Sequence, residues 1–292
     1  MNPLSLLLTG ATGFLGRRLA PGLAGSWRVV GASRTASGPD SVALDLADPD
    51  SIQRAFDAVR PAAVVHSGAI ASPDECERDP AMARRVNAEG TKTLAGLCGR
   101  AGARLLVIST DLVFDGEKGL YDEDDAPNPL SIYGRVKLDA EEAALARAPG
   151  AAVVRISAAY GRLFGGRPCF TDEILEALAR NEPIGAFTDQ WRSPTAADRL
   201  SEVLLCLLAA PEQTGVFHWG GADRATRFES AVNLCRTFGY DETLVRPSRM
   251  NDRRTLARRP RDSSLDSSRL STALGIAPVT TAEGFAAMKA AA

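Results

Sequence analysis

The chain has 292 residues, 45% hydrophobic and 24% charged, enough for one large domain, or one and a half, around a substantial core, which excludes a disordered tail or a mini-protein. Thirty-four basic residues against 36 acidic ones leave a formal net charge of -2, so no broad cationic surface awaits a phosphate backbone and nucleic acid is not an expected partner. The apolar run 4–8 is too short to span a bilayer and passes straight into a glycine turn, so no membrane association is expected and the expected compartment is the cytoplasm.

In chain order, short β-branched runs predict strands over 4–9, 28–32, 42–44, 63–66, 105–109 and 152–156, alternating with amphipathic helices that start near Gly13, Ser51, Pro80 and Ser131. That rhythm predicts the α/β class, a Rossmann-type doubly wound parallel sheet with its ligand crevice at the carboxyl ends of the strands. After Gly161 the rhythm loosens: Pro168, Pro183, Pro194 and Pro211 interrupt short elements around an amphipathic stretch over 196–208. A smaller C-terminal lobe is expected there. The expected division is a dinucleotide-binding domain over 1–160 and a substrate lobe over 161–292, the chain being free to cross between them. Five widely spaced cysteines and two histidines, His66 and His218, fall in core-like runs, so neither a disulfide framework nor a metal site is expected. The acidic run 122–125 reads as a solvated loop.

The strongest local signal follows the first strand. Gly10, Thr12, Gly13, Phe14, Leu15 and Gly16 form a glycine turn leading into a helix, where unpaired N–H groups and the positive end of the helix dipole suit a pyrophosphate. The second strand ends in Ser33 and Arg34. A hydroxyl and a guanidinium in that place suit a 2′-phosphate, so NADP(H) is expected ahead of NAD(H). Asp45, with Leu46 beside it, closes the third strand where an adenine amino group could be met. Tyr133 and Lys137 stand four apart on a helix face, and an ammonium beside a phenol is expected to lower its pKa towards that of a working general acid. Thr110, at the end of the fifth strand, could hydrogen-bond the same carbonyl oxygen.

Together these residues resemble the extended short-chain dehydrogenase/reductase superfamily, and within it the dTDP-4-dehydrorhamnose reductase group. Further matches are Ser67-Gly68-Ala69, Asn87 in Val86-Asn87-Ala88-Glu89-Gly90-Thr91, Thr110-Asp111 in the run 109–116, and Arg259-Pro260-Arg261-Asp262-Ser263-Ser264-Leu265. The resemblance spans nearly the whole chain. It implies NADP(H) in the first lobe, held by the glycine turn, Ser33, Arg34, Asp45, Leu46, Ser67, Gly68, Ala69, Asn87, Tyr133 and Lys137, and a sugar nucleotide in the second. It also implies hydride transfer to a 4-keto carbon, with Tyr133 donating the proton, Thr110 orienting the oxygen and Lys137 holding the nicotinamide ribose. Thr110, Asp111, Ala158 and Arg192 are the expected substrate neighbours, and a homodimer is an expected assembly.

Three stretches depart from the group. Leu112 stands where it usually has Tyr, Ala158 where it usually has Trp, and Arg192-Ser193 replace a glycine-containing stretch, so the sugar pocket differs from one built for dTDP-4-dehydrorhamnose. Asp111-Leu112 lacks the Asp-Glu pair of the dehydratases. Two alternatives stay open beside the reductase: a sugar-nucleotide epimerase, and a non-catalytic NADP-binding subunit like the regulatory subunit of methionine adenosyltransferase.

Overall fold

A computed structural model describes residues 3–162 and 168–291. In chain order the elements are β1 (Ser5–Thr9), α1 (Phe14–Ala24), β2 (Arg28–Ser33), β3 (Ser41–Ala43), α2 (Pro49–Val59), β4 (Ala63–His66), α3 (Pro73–Arg78), α4 (Pro80–Ala83), a π-helical turn (Arg84–Glu89), α5 (Gly90–Ala101), β5 (Arg104–Thr110), α6 (Ile132–Arg147) and β6 (Ala152–Ile156). There follow α7 (Phe170–Ala179), β7 (Ile184–Phe187), β8 (Trp191–Arg192), α8 (Ala197–Ala209), β9 (Gly215–Trp219), β10 (Ala225–Thr226), α9 (Arg227–Phe238), β11 (Val245–Ser248), α10 (Ser268–Leu274) and α11 (Thr281–Ala290).

Seven strands form one parallel sheet in the order β3-β2-β1-β4-β5-β6-β9. Strand order reverses between β1 and β4, where Leu8 pairs with Val65 and Thr9 with His66; a crevice opens beyond such a point because the crossovers leave in opposite directions. The period-2 geometry of a strand divides the apolar side chains between the two faces. Leu6, Leu8, Val65, Leu106, Ile108 and Val154 pack with Leu19 of α1 and Leu200 and Leu204 of α8. Leu7, Val64, Leu105, Val107 and Val153 pack with Ile52 and Phe56 of α2 and Leu94 of α5. Residues buried on both faces explain why these strands read as unbroken apolar runs.

Residues 197–219 return to this sheet, α8 packing on α1 and β9 pairing with β6. The outer lobe is built from two small sheets, β10-β8 and β11-β7, with α7 and α9 around a core that includes Leu178, Ala231 and Val245. Among the described residues no helix is long and apolar enough to cross a membrane. The third helix start expected from the sequence lies near Pro80, which passes over α3, a six-residue helix capped by the Ser72 hydroxyl.

Candidate active site

A crevice of about 1630 Å³ runs along the carboxyl ends of the parallel strands and under the outer lobe. Its floor is the glycine turn. A Cβ on Gly10, whose φ is +69°, would meet the Gly68 Cα at 2.7 Å, and one on Gly16 would meet the Gly10 carbonyl oxygen; both positions therefore exclude side chains. Gly13, the N-cap of α1, offers no capping side chain, and the first turn of α1 contains no acidic residue. Its N–H groups thus open into the crevice with no acidic side chain of that turn to satisfy them. The turn is fixed from beneath: Ser67 Oγ donates to the Thr9 carbonyl at 2.7 Å, the Gly68 N–H to Thr9 Oγ1 at 3.2 Å, and Thr9 Oγ1 contacts His66 Nδ1 at 2.6 Å.

Gly10, Thr12, Gly13, Phe14, Leu15, Gly16, Ser33, Arg34, Asp45, Leu46, Ser67, Gly68 and Ala69 all line this one space. Arg34 is exposed at its rim, and Asp45 uses one carboxylate oxygen to accept the Ala47 N–H at 2.9 Å. Asn87 is placed differently. It does not line the crevice but is buried behind it, in the π-helical turn, where Oδ1 accepts the Ile70 N–H at 2.8 Å and Nδ2 donates to the Ile70 carbonyl at 3.0 Å. Its side chain thereby clamps the loop that carries Ser67, Gly68 and Ala69.

At the far end Thr110, Asp111, Tyr133, Lys137, Ala158 and Arg192 converge. Ser131 caps α6 by accepting the Gly134 N–H at 3.2 Å. A Cβ at Gly134 would fall 2.2 Å from the Leu112 carbonyl oxygen, so glycine lets the start of α6 lie against the segment after β5 and brings the phenol of Tyr133 to Thr110. One turn later Lys137 is buried, Nζ donating to the Ile108 carbonyl at 2.7 Å.

The expected electrostatic effect of Lys137 on Tyr133 differs from what this geometry produces. Burial raises the phenol's pKa above its ordinary value, Asp111 adds to that, and only the Thr110 hydroxyl beside it pulls the other way. The phenol is therefore held protonated. Lys137 is itself pushed down to about 8, by burial first and against the attraction of Glu141. Desolvation is the largest influence on both groups.

Asp111 is saturated from the protein side: Oδ2 accepts Ser157 Oγ at 2.7 Å and Ser263 Oγ at 2.6 Å and lies 3.3 Å from Arg192 Nε. It thereby ties β5, β6, β8 and the segment after β11 together under the crevice. Ala158 sits at φ +35°, in the left-handed region that non-glycine residues enter at a cost of order 1 kcal/mol or more.

Sequence reasoning missed Glu141, Ser157, Ser263 and Arg227. Glu141 accepts the Ser109 hydroxyl and pairs with Arg155 at 2.6 Å; its spacing of four beyond Lys137 on α6 was the available signal. Ser263 lay within a segment noticed only by resemblance, and nothing local marked Arg227. The carboxylates of the run 122–125 are engaged by Lys118 and Arg269, while Glu123 accepts the His218 N–H at 2.9 Å.

Relatives place this geometry in a family. The chain is 33% identical over 279 residues to methionine adenosyltransferase 2 subunit beta of Bos taurus, covering 93% of this chain and 82% of that one. It is 36% identical over 279 residues to dTDP-4-dehydrorhamnose reductase of Streptomyces griseus, with 94% and 88% covered. Among solved structures, dTDP-4-dehydrorhamnose reductase from Bacillus anthracis in complex with NADP superposes with a TM-score of 0.91 at 24% identity over 99% of this chain and 100% of that one. MoeE5 in complex with UDP-glucuronic acid and NAD superposes with a TM-score of 0.81 at 25% identity, with 97% and 96% covered. Residues 4–291 match the family described as RmlD substrate binding domain, and the chain belongs to that family.

Proposed function

We propose that this chain is an NADPH-dependent reductase of a 4-keto sugar nucleotide. The observation that carries the reading is the convergence of Thr110, Tyr133 and Lys137 in the same crevice as an uncapped helix N-terminus. The residues present fit a nicotinamide dinucleotide: the cradle at Gly10 and Gly16 is one that a Cβ would fill, and the open end of α1 suits a pyrophosphate. Ser33 and Arg34 would meet a 2′-phosphate and Asp45 an adenine amino group, while Lys137 would hold the ribose. When bound, the dinucleotide supplies a hydride to a carbonyl carbon. Tyr133 keeps its proton at neutral pH, as the donor to the carbonyl oxygen must, and Thr110 orients that oxygen. The crevice favours an anionic ligand, since lysine and arginine outnumber carboxylates around it seven to five in a chain of formal net charge -2. The Streptomyces griseus relative supports the reaction class.

The test is NADPH oxidation with a panel of 4-keto nucleotide sugars, wild type against Tyr133→Phe. Removing the proton donor should lower kcat by about a hundredfold or more while NADPH binding is retained. Relatives named as a methionine adenosyltransferase subunit favour a second reading, a cofactor-binding subunit without turnover. Tight NADPH binding with no member of the panel reduced would establish that reading over the first, and epimerised product recovered without net NADPH consumption would establish the epimerase.

A further inference from the structure

Two arginines approach the catalytic end of the crevice from the outer lobe. Arg192 ends β8 and Arg227 begins α9. The antiparallel β8–β10 ribbon sets Ala225 opposite Arg192 and Thr226 opposite Trp191, and the Arg227 N–H donates to the Gln190 carbonyl at 3.1 Å, so the ribbon's register delivers both side chains to one wall. Arg192 is buried, with Nη1 donating to the Trp191 carbonyl at 2.9 Å and Nε 3.3 Å from Asp111 Oδ2. The Arg227 guanidinium lies 4.7 Å from the centroid of the Phe170 ring, and its Nε is 3.5 Å from Gln190 Oε1.

Asp111 is the carboxylate that Arg192 contacts, and it already accepts two serine hydroxyls; Asp262 acts on Arg192, and Asp111 and Glu173 on Arg227, only through space. A third arginine, Arg259, is engaged elsewhere, by Asp74 at 3.2 Å. Among the described residues Arg227 makes no ion pair, its guanidinium resting on Phe170 and Gln190 while Arg192 takes Asp111, so two poorly hydrated guanidiniums stand beside one contacted carboxylate, an excess of positive charge that a ligand anion would offset. The stress registers on Arg227, pushed down to about 10 by burial first and then by Arg192.

Position decides which anion. Arg192 is held on Asp111, the residue next to Thr110, and so stands beside the reacting carbon. In a sugar nucleotide reacting at C4, the exocyclic C6 group lies on that side of the ring, whereas the diphosphate hangs from the opposite side. We propose that Arg192 and Arg227 are specificity-determining residues that select a sugar carrying a carboxylate on its exocyclic carbon, a hexuronate, over a neutral or deoxy hexose. Planar guanidinium forks match a carboxylate in two parallel hydrogen bonds, a geometry that no neutral hydroxymethyl or methyl group repeats. The inference rests on the sugar-nucleotide reading of the same crevice, but binding measures it without turnover.

The experiment is calorimetric titration of the NADPH-loaded chain with UDP-glucuronate against UDP-glucose, and with the corresponding dTDP pair. In at least one pair the acid should bind about tenfold tighter or more, a difference of about 1.4 kcal/mol. Arg227→Gln should collapse that ratio towards unity while leaving the neutral sugar's affinity in place, and Arg192→Lys, which keeps a cation for Asp111, should reduce it. NADPH affinity and the melting temperature report that each variant folds. Equal affinity for acid and neutral sugar in the wild type, or binding of neither acid, overturns the proposal. So does an Arg227→Gln variant that weakens both sugars alike, which would assign the pair to the diphosphate. Selectivity for the acid in a chain that reduces no ketone would sink the reductase reading alone; turnover without selectivity would sink this inference alone.

Discussion

At the scale of single residues, charge and burial decide more than sequence spacing does. Tyr133 and Lys137 stand four apart, as their helix requires, yet Lys137 spends its ammonium on the Ile108 carbonyl and burial keeps the phenol neutral. A lysine pushed down to about 8 remains mostly charged at pH 7 and loses its proton as pH rises through 8. If the charged form orients the ribose, kcat/KM for the ketone should fall with that midpoint on the alkaline side, and Lys137→Met should remove the inflection along with most of the activity; a wild-type profile flat from pH 7 to 9.5 would contradict the assignment. Arg34 makes an independent prediction. It is exposed at the rim, so Arg34→Glu should fold normally and weaken NADPH by about tenfold or more, since an opposed charge replaces a charge-assisted hydrogen bond, while NADH changes little. Equal losses for the two cofactors would show that Arg34 does not meet the 2′-phosphate.

At the scale of elements, the turn after β1 was legible because three glycines and a following helix have few other uses, and the strands were legible because both sheet faces are buried. The π-helical turn was not. Its sequence, Arg84–Glu89, reads as ordinary helix, and the widened turn owes its existence to tertiary contacts: Asn87 reaches the Ile70 backbone, and Gly90 admits the Leu46 carbonyl, 2.6 Å from where a Cβ would stand. The two-point clamp that Asn87 places on the Ile70 backbone was not legible, since it leaves no spacing in the sequence. Asn87→Ala should leave the Ile70 N–H without its partner, and its carbonyl with the Cys76 thiol as donor, in a partly buried place, costing about 1–3 kcal/mol. It should also raise the NADPH dissociation constant by loosening the loop that carries Ser67 and Gly68. Thermal melting and a cofactor titration check both, and an unchanged affinity would confine Asn87 to stability.

Across the whole molecule, the first half declared itself through its alternation of strands and helices, whereas the outer lobe did not, because two-residue strands such as β8 and β10 carry no periodicity and are held by contacts distant in sequence. The buried polar web joining the halves was likewise unreadable: Glu141 on α6, Arg155 on β6 and His218 on β9 meet only once the sheet has formed, Arg155 Nη1 lying 3.3 Å from His218 Nε2 and the His218 ring 2.9 Å from the Tyr121 carbonyl. That web and its counterpart at His66 give the fold a defined response to acid. Burial pushes His66 down to about 3 and His218 to about 4, the cations of Lys137 and Arg155 adding to the effect. An unfolded chain takes up a proton on each ring near pH 6.5, whereas the folded one refuses it until well below pH 5, so stability is full above pH 6.5 and declines as pH falls. Each histidine should withdraw about 2 kcal/mol between pH 7.5 and pH 5. Urea unfolding at the two pH values, compared between wild type and His66→Gln, isolates one ring from the carboxylates that titrate in both proteins. The variant should be less stable at pH 7.5, having lost the links from the ring to Thr9 and Thr91, yet it should lose about 2 kcal/mol less than wild type on acidification. An identical loss in both would mean that His66 is already charged in the folded chain and that the tie between β1 and β4 rests on something other than a neutral imidazole.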